Sequence, residues 1–159
     1  ESISIRGRFI YGYLCLLNLI KYDGFEPIPE ELEQIMAEFV WSNSLDVWHG
    51  KAADIQPSFV MYDNRAPCYL TNEAVQVIVT YYERQPEPVI GVIESLINLG
   101  IANLYGAYKS SSTMPYLESI INLLERRGVE LPDFSKIEHC ISVQAGGWGE
   151  KDNLLDYIS

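Results

Sequence analysis

The sequence predicts one all-α domain spanning residues 1–159, an irregular bundle of about six helices around a central buried helix. Three observations carry that expectation. In the stretch Pro88 to Tyr105, Val89, Val92, Ile93, Leu96, Ile97, Ile101 and Leu104 recur at the spacing of one helical face. Ile90 and Leu99 widen that face until only a strip through Glu94, Ser95 and Asn98 stays polar. A helix apolar nearly all round packs against several neighbours at once. The segments around it are punctuated by helix starts at Ser44, Thr71 and Thr113 and by stops at Gly24 and Gly128. Finally, 159 residues of 48% apolar composition suffice for a single core, and 12% aromatics argue against disorder.

Taken in order, Phe9, Tyr13, Leu16, Leu17 and Ile20 repeat at helical spacing and end at the turn Tyr22-Asp23-Gly24. The arginines before this apolar run imitate a signal peptide. The run carries Tyr11, Tyr13 and Asn18, lacks a small-residue cleavage site and is too short to span a bilayer, so it reads as a core helix of a cytoplasmic protein. The chain opens on Glu1, which is compatible with a few missing native residues. A second helix follows Pro27 and Pro29, with Glu30, Glu31 and Glu33 in its first turn and Leu32, Ile35, Met36 and Phe39 facing inward. Acids there complement the helix dipole, and they also form a secondary acidic surface for a basic partner. Ser44 caps a short helix through Leu45, Val47, Trp48 and Ala52. Ile55 to Leu70 reads as a long irregular loop in which Phe59-Val60-Met61-Tyr62 is a short strand or a buried extended segment.

Thr71 or Asn72 caps the segment through Glu83, where the capping residue and length favour helix over the strand that VQVIVTYY would also suit. A Gln85-to-Pro88 hinge leads into the central helix, and the loop GAYKSSST leaves it. Thr113 caps the next helix, whose Tyr116, Ile120, Leu123 and Leu124 face inward before Gly128 closes it. ESLINL at Glu94 returns as ESIINL at Glu118; two copies make a pair of helices sharing one pattern, not a solenoid. A helical turn through Ile137, an irregular stretch around Cys140, Ile141 and Val143, and Gly146-Gly147-Trp148-Gly149-Glu150 complete the chain.

Lys and Arg total 11 against 22 Asp and Glu, a formal charge of -11. Such a field repels nucleic acid and anionic membrane and attracts basic partners. Three widely spaced cysteines, Cys15, Cys68 and Cys140, suit a reducing compartment better than a disulfide framework. His49 and His139 form no metal-ligand spacing with them, and adjacent His139 and Cys140 would point apart on a regular helix or strand. The sequence holds no phosphate-binding glycine motif, no H-E-x-x-H and no G-x-S-x-G, so the residues favour binding over catalysis, with neither cofactor nor metal expected.

The informative positions are aromatics set among glycines and acids: Asp46 with Trp48, Tyr105 and Tyr108 flanking Gly106, and Trp148 beside Glu150 and Asp152. Trp and Tyr ringed by acids have the composition of a binding hot spot facing Arg or Lys. These seven are the candidate partner-binding residues; taken singly, each is as readily a structural residue, and Trp148 could simply plug the end of the core, but as a set they place at least one at a partner surface.

FIYGYLCLLNLI, FVWSNSLDVW, INLGIANLYGAY and the terminal GGWGE, taken together, resemble a family of small, acidic, largely helical bacterial proteins. These are the immunity partners of contact-dependent inhibition and polymorphic-toxin systems. The resemblance implies a protein that binds a cognate toxin in the cytoplasm and blocks it without catalysing anything. Such toxins are often basic nucleases, which suits the charge. It transfers no individual residue. Two other readings stand beside it: a small enzyme or ligand-binding domain with a pocket near the Tyr105–Tyr108 loop and Trp148, and a helical adaptor hinted at by the repeated pattern.

Overall fold

The hydroxyl of Ser4 accepts the Gly7 N–H at 3.2 Å and so starts the first helix, α1 (Ile5–Asp23). Gly24 closes it with φ 66°, a left-handed turn that favours glycine. The computed structural model describes residues 2–63, 65–105 and 109–158. It is all-α and 66% helical. The remaining helices are α2 (Glu30–Trp41), α3 (Leu45–Ile55), α4 (Pro57–Val60), α5 (Asn72–Arg84), α6 (Glu87–Ile101) and α7 (Met114–Arg127). Short 3-10 turns occupy Ser110–Ser112, Phe134–Lys136, Gln144–Gly147 and Leu154–Tyr157. No described helix is long and apolar enough to cross a membrane.

The centre of the bundle is a pair. α6 buries Val89, Val92, Ile93, Leu96, Ile97 and Leu99, as its periodicity predicts, and packs on both α1 and α7. α1 is more deeply enclosed: from Ile5 to Leu16 every side chain is buried. α2 lies along α1, α3 packs on α2, and the C-terminal turn Leu154–Tyr157 rests on α2 and α1. Among the described residues the only bridge between extended segments joins Ile3 to Ile141, so the two ends of the chain meet.

The structure corrects several local expectations. α1 begins ahead of the apolar run and takes Arg6 and Arg8 into the helix, both buried. The Arg8 guanidinium donates to Thr113 Oγ1 at 2.7 Å, and although Thr113 stands at the start of α7 its side chain makes no cap bond there. Ser44 likewise starts α3 without a side-chain cap; instead Ser42 Oγ accepts the Ser44 N–H at 3.0 Å. The helix expected to reach Tyr105 ends at Ile101, with 102–105 in turns. The stretch Phe59 to Tyr62 is neither strand nor extended, because Glu94 reaches across to the N-terminus of α4. Its carboxylate accepts from Ser58 N at 2.9 Å, Ser58 Oγ at 2.8 Å and Gln56 Nε2 at 2.7 Å. The Gln56 amide also donates to Asn98 Oδ1 at 3.1 Å, so the polar strip of α6 is spent on holding α4.

Candidate protein-binding surface

Arg6 determines what stands beside what at one end of the bundle. Its backbone N–H donates to Trp148 O at 3.0 Å, and its guanidinium donates to Gly149 O at 2.9 Å and to Ser42 O at 3.0 Å. One buried side chain thus joins the turn after α2 to the glycine-rich segment over a hundred residues away. Burial lowers the guanidinium's pKa, and the charge of Glu150 partly restores it; arginine stays protonated throughout. The glycines of this segment serve the chain itself. Gly146, Gly147 and Gly149 have φ of 64°, 98° and 86°, and a Cβ on Gly149 would lie 2.2 Å from Ser4 Oγ. Trp148 is half-buried and packed against the core, with Glu150 exposed beside it.

Trp41 is brought to the same place. It precedes Ser42 and is 55% exposed, large for a tryptophan. The sequence reading nominated Trp48 and passed over Trp41, and the structure reverses the two. Trp48 is fully buried, its ring 4.7 Å from Phe39 and 6.3 Å from Phe9, and its indole N–H donates to Ile35 O at 2.9 Å. Helical phase explains the exchange. Trp48, Ala52 and Ile55 repeat at i, i+4 and i+7 on the inner face of α3, whereas Trp41 shares the outer face of α2 with Gln34 and Glu38.

The outer face of α3 continues the surface. Asp46 and Val47 are exposed in its first turn. One turn on, His49 Nδ1 lies 2.7 Å from the hydroxyl of Tyr105, which is 71% exposed. Next to it, the ring of Tyr69 lies on Gly50, where an added Cβ would stand 2.3 Å from Tyr69 Cε2. Tyr105 and Tyr69 therefore lie against α3, which carries Asp46 in its first turn, while Trp148 and Glu150 flank the segment that Arg6 ties to the turn after Trp41; Trp41 and Tyr69 are exposed aromatics that the sequence reading missed. Tyr108 lies outside the described residues.

Two nominated groups lie elsewhere. Glu30, Glu31 and Glu33 start α2, roughly 12–16 Å along the helix axis from Trp41 at 1.5 Å per residue. Glu33 there accepts from the Tyr13 hydroxyl at 3.4 Å. The carboxylate of Asp152 is turned into a different cluster, where it accepts a short hydrogen bond from Tyr157.

In that cluster His139 and Cys140 do not point apart as expected, because they sit in a turn and not in a regular helix or strand. Cys140 Sγ lies 3.6 Å from His139 Nε2 and 3.7 Å from Tyr157 Oη, and His139 Nε2 is 3.0 Å from the same hydroxyl. A nucleophilic cysteine needs a lowered thiol pKa. Burial raises that of Cys140, and the Tyr157 hydroxyl already donates its hydrogen bond to Asp152. The cluster fastens the C-terminal turn to the body of the protein. Two recesses of about 570 and 660 Å³ are lined from α6–α7 and from α5, and neither includes Tyr105 or Trp148.

Compared with known proteins, the chain matches no protein-family model, no curated protein and no solved structure.

Proposed function

We propose that this chain is an immunity protein that binds and neutralises a basic bacterial toxin, of the nuclease class, through the surface around Trp41, Asp46, Tyr105 and Glu150. The observation that carries the reading is the combination of a formal charge of -11 with the exposed aromatics Trp41, Tyr69 and Tyr105 and the exposed acids Asp46 and Glu150. Long-range attraction raises the rate of encounter, and buried aromatic contact then slows release. A rigid backbone under those aromatics lowers the ordering cost of association. The Arg6 bonds to Ser42 O and Gly149 O supply that rigidity beneath Trp41 and Glu150. Unpaired Cys15, Cys68 and Cys140 suit the cytoplasm, where such a complex would form.

The test is affinity capture of the tagged chain from cells that express the candidate toxin, followed by association kinetics on the captured partner. The reading expects a stoichiometric basic protein whose activity is lost in the complex. Asp46→Lys with Glu150→Lys should slow association several-fold and flatten its dependence on salt. Recovery of the chain alone, from cells shown to contain the toxin, refutes it.

A further inference from the structure

The repeated pattern of α6 and α7 is occupied in one copy and open in the other. Glu94, Ser95 and Asn98 on α6 correspond to Glu118, Ser119 and Asn122 on α7, and the matching Leu96 and Ile120 are both buried. The two polar strips therefore stand at the same helical phase. On α6 the strip holds the start of α4. Pro57 opens α4 without an N–H, and Gln56 before it makes no side-chain cap. Glu94 supplies the cap from another helix. Its carboxylate accepts from Ser58 N at 2.9 Å and Ser58 Oγ at 2.8 Å, and the Gln56 amide donates to both Glu94 and Asn98. Pro57, between those two residues, is buried, and Val60 packs on the core.

On α7 no described residue covers the strip. Glu118, Ser119 and Asn122 are exposed, and among the described residues none of the three has a hydrogen bond or an ion pair. They line a recess of about 570 Å³ whose apolar lining is Leu123 with Pro88 and Pro115, at the starts of α6 and α7. Arg126 and Arg127 border the same recess. Arg127 is held by Asp23 at 2.6 Å, and Arg126 lies eight residues from Glu118, about 12 Å along the axis, so neither neutralises Glu118. The Glu118 carboxylate and the Asn122 carbonyl, one turn apart, repeat the two acceptors that hold Gln56 and Ser58 on α6. A helix start carries unsatisfied N–H groups and partial positive charge, which an unpaired carboxylate complements. A lysine would find its match at any exposed acid. An acid, an amide and an apolar floor together fit a capped helix start.

We propose that Glu118 and Asn122 form a docking site for the first turn of a partner protein's helix, one that opens with a side-chain amide, a proline and a hydroxyl residue in the order Gln-Pro-Ser. Glu118 caps the free N–H and the hydroxyl, Asn122 accepts from the amide, and Leu123 with the two prolines receives the apolar side of the turn. The site lies on α7 and does not depend on the toxin-binding reading of the surface around Trp41 and Asp46.

The test uses the intact chain and a soluble helical peptide, acetyl-Gln-Pro-Ser-Phe-Val followed by an alanine-glutamine tail. In the control peptide the first Gln and the Ser are alanine, with the charge unchanged. Amide NMR shifts are read as initial slopes at low ionic strength. The expected result is a slope at 118–123 at least about threefold that at the exposed acids Glu30, Glu83 and Glu150, with the control peptide at background. Glu118→Ala should reduce the slope at least about fivefold and Asn122→Ala about two- to fivefold. Both positions are exposed, so the fold survives either change. Glu94→Ala tests the chemistry within the chain and should shift the amides of 56–61 as α4 loses its cap. Unmoved amides there, equal slopes at all exposed acids, or a slope unchanged in Glu118→Ala overturns the site. So does an equal response to the control peptide. Shifts at 118–126 that grow with the chain's own concentration and ignore the peptide overturn it in favour of a second copy as the occupant.

Discussion

Gly91 and Gly100 lie in the same helix, and the same substitution should change stability in opposite directions at the two positions. Replacing a helical glycine by alanine stabilises by roughly 0.8–1 kcal/mol, through the lower conformational entropy of the unfolded chain. Gly91 is exposed and a Cβ there meets nothing within 4 Å, so Gly91→Ala should show that whole gain. At Gly100 the added Cβ would lie 2.4 Å from Trp48 Cη2 and 3.2 Å from Phe39 Cε2. Trp48 is fully enclosed and held by its bond to Ile35 O, so the ring has nowhere to retreat. Overpacking of a closed core costs about 1–3 kcal/mol. Near the helix end the propensity gain at Gly100 is at most that at Gly91. The two variants should therefore differ by ~1–3 kcal/mol, with Gly100→Ala the less stable. Urea unfolding followed by tryptophan fluorescence reads this as midpoints separated by about 1 M, since m for a domain of this size is about 1–3 kcal/mol/M. Equal midpoints, or a Gly100→Ala chain as stable as Gly91→Ala, would refute the packing of Trp48 on α6 and with it the removal of Trp48 from the surface.

Three further outcomes follow from the same packing. Trp48→Ala should cost about 3–5 kcal/mol in thermal or urea unfolding while Trp41→Ala stays within about 0.5 kcal/mol, and similar losses at both would contradict their assigned places. Burial raises the hydroxyl pKa of Tyr13 and Tyr82 and pushes that of Tyr81 up to about 12, above the ordinary value of 10. The folded state holds these protons longer than the unfolded one, so their contribution is complete below pH 10 and is lost as the pH rises above 10, through about 12 for Tyr81 and higher for the other two. Tyrosine ionisation at 295 nm should then coincide with unfolding by circular dichroism, and free titration of all tyrosines in the folded chain would refute it. Of the three unpaired thiols only Cys68 is exposed, and the Cys15 thiol is pushed up to about 12 by burial. A thiol reagent at pH 8 should titrate one group quickly and the other two only in denaturant.

Much of the bundle was legible in the sequence because helices of this kind announce themselves locally. The buried set of α6 followed its 3.6-residue periodicity, the left-handed glycines at 24 and 128 closed α1 and α7, and Thr71 capped α5 by accepting from Ala74 N at 3.2 Å. The candidate site was less legible. Trp48 looked exposed because it follows Asp46, although its helical phase put it inward. Trp41 had the opposite fault, following the buried Phe39 and Val40 while pointing off the buried face. Tyr69 sat in a stretch read as irregular, and its position depends on Asp54 and Gly50, which no local pattern links to it.

The sequence by itself determined the class of fold, most helix boundaries and the acidic character, because each depends on neighbours a few residues apart or on a sum over the chain. Only the tertiary structure decided which aromatics face outward together. Arg6 binds carbonyls at Ser42 and Gly149, Glu94 caps α4, and Asp54 gathers the amides of 68–70. A buried arginine, a half-buried glutamate and an aspartate each satisfy backbone groups that no helix or strand of their own would satisfy. That requirement acts through space, so segments far apart in the chain become one surface.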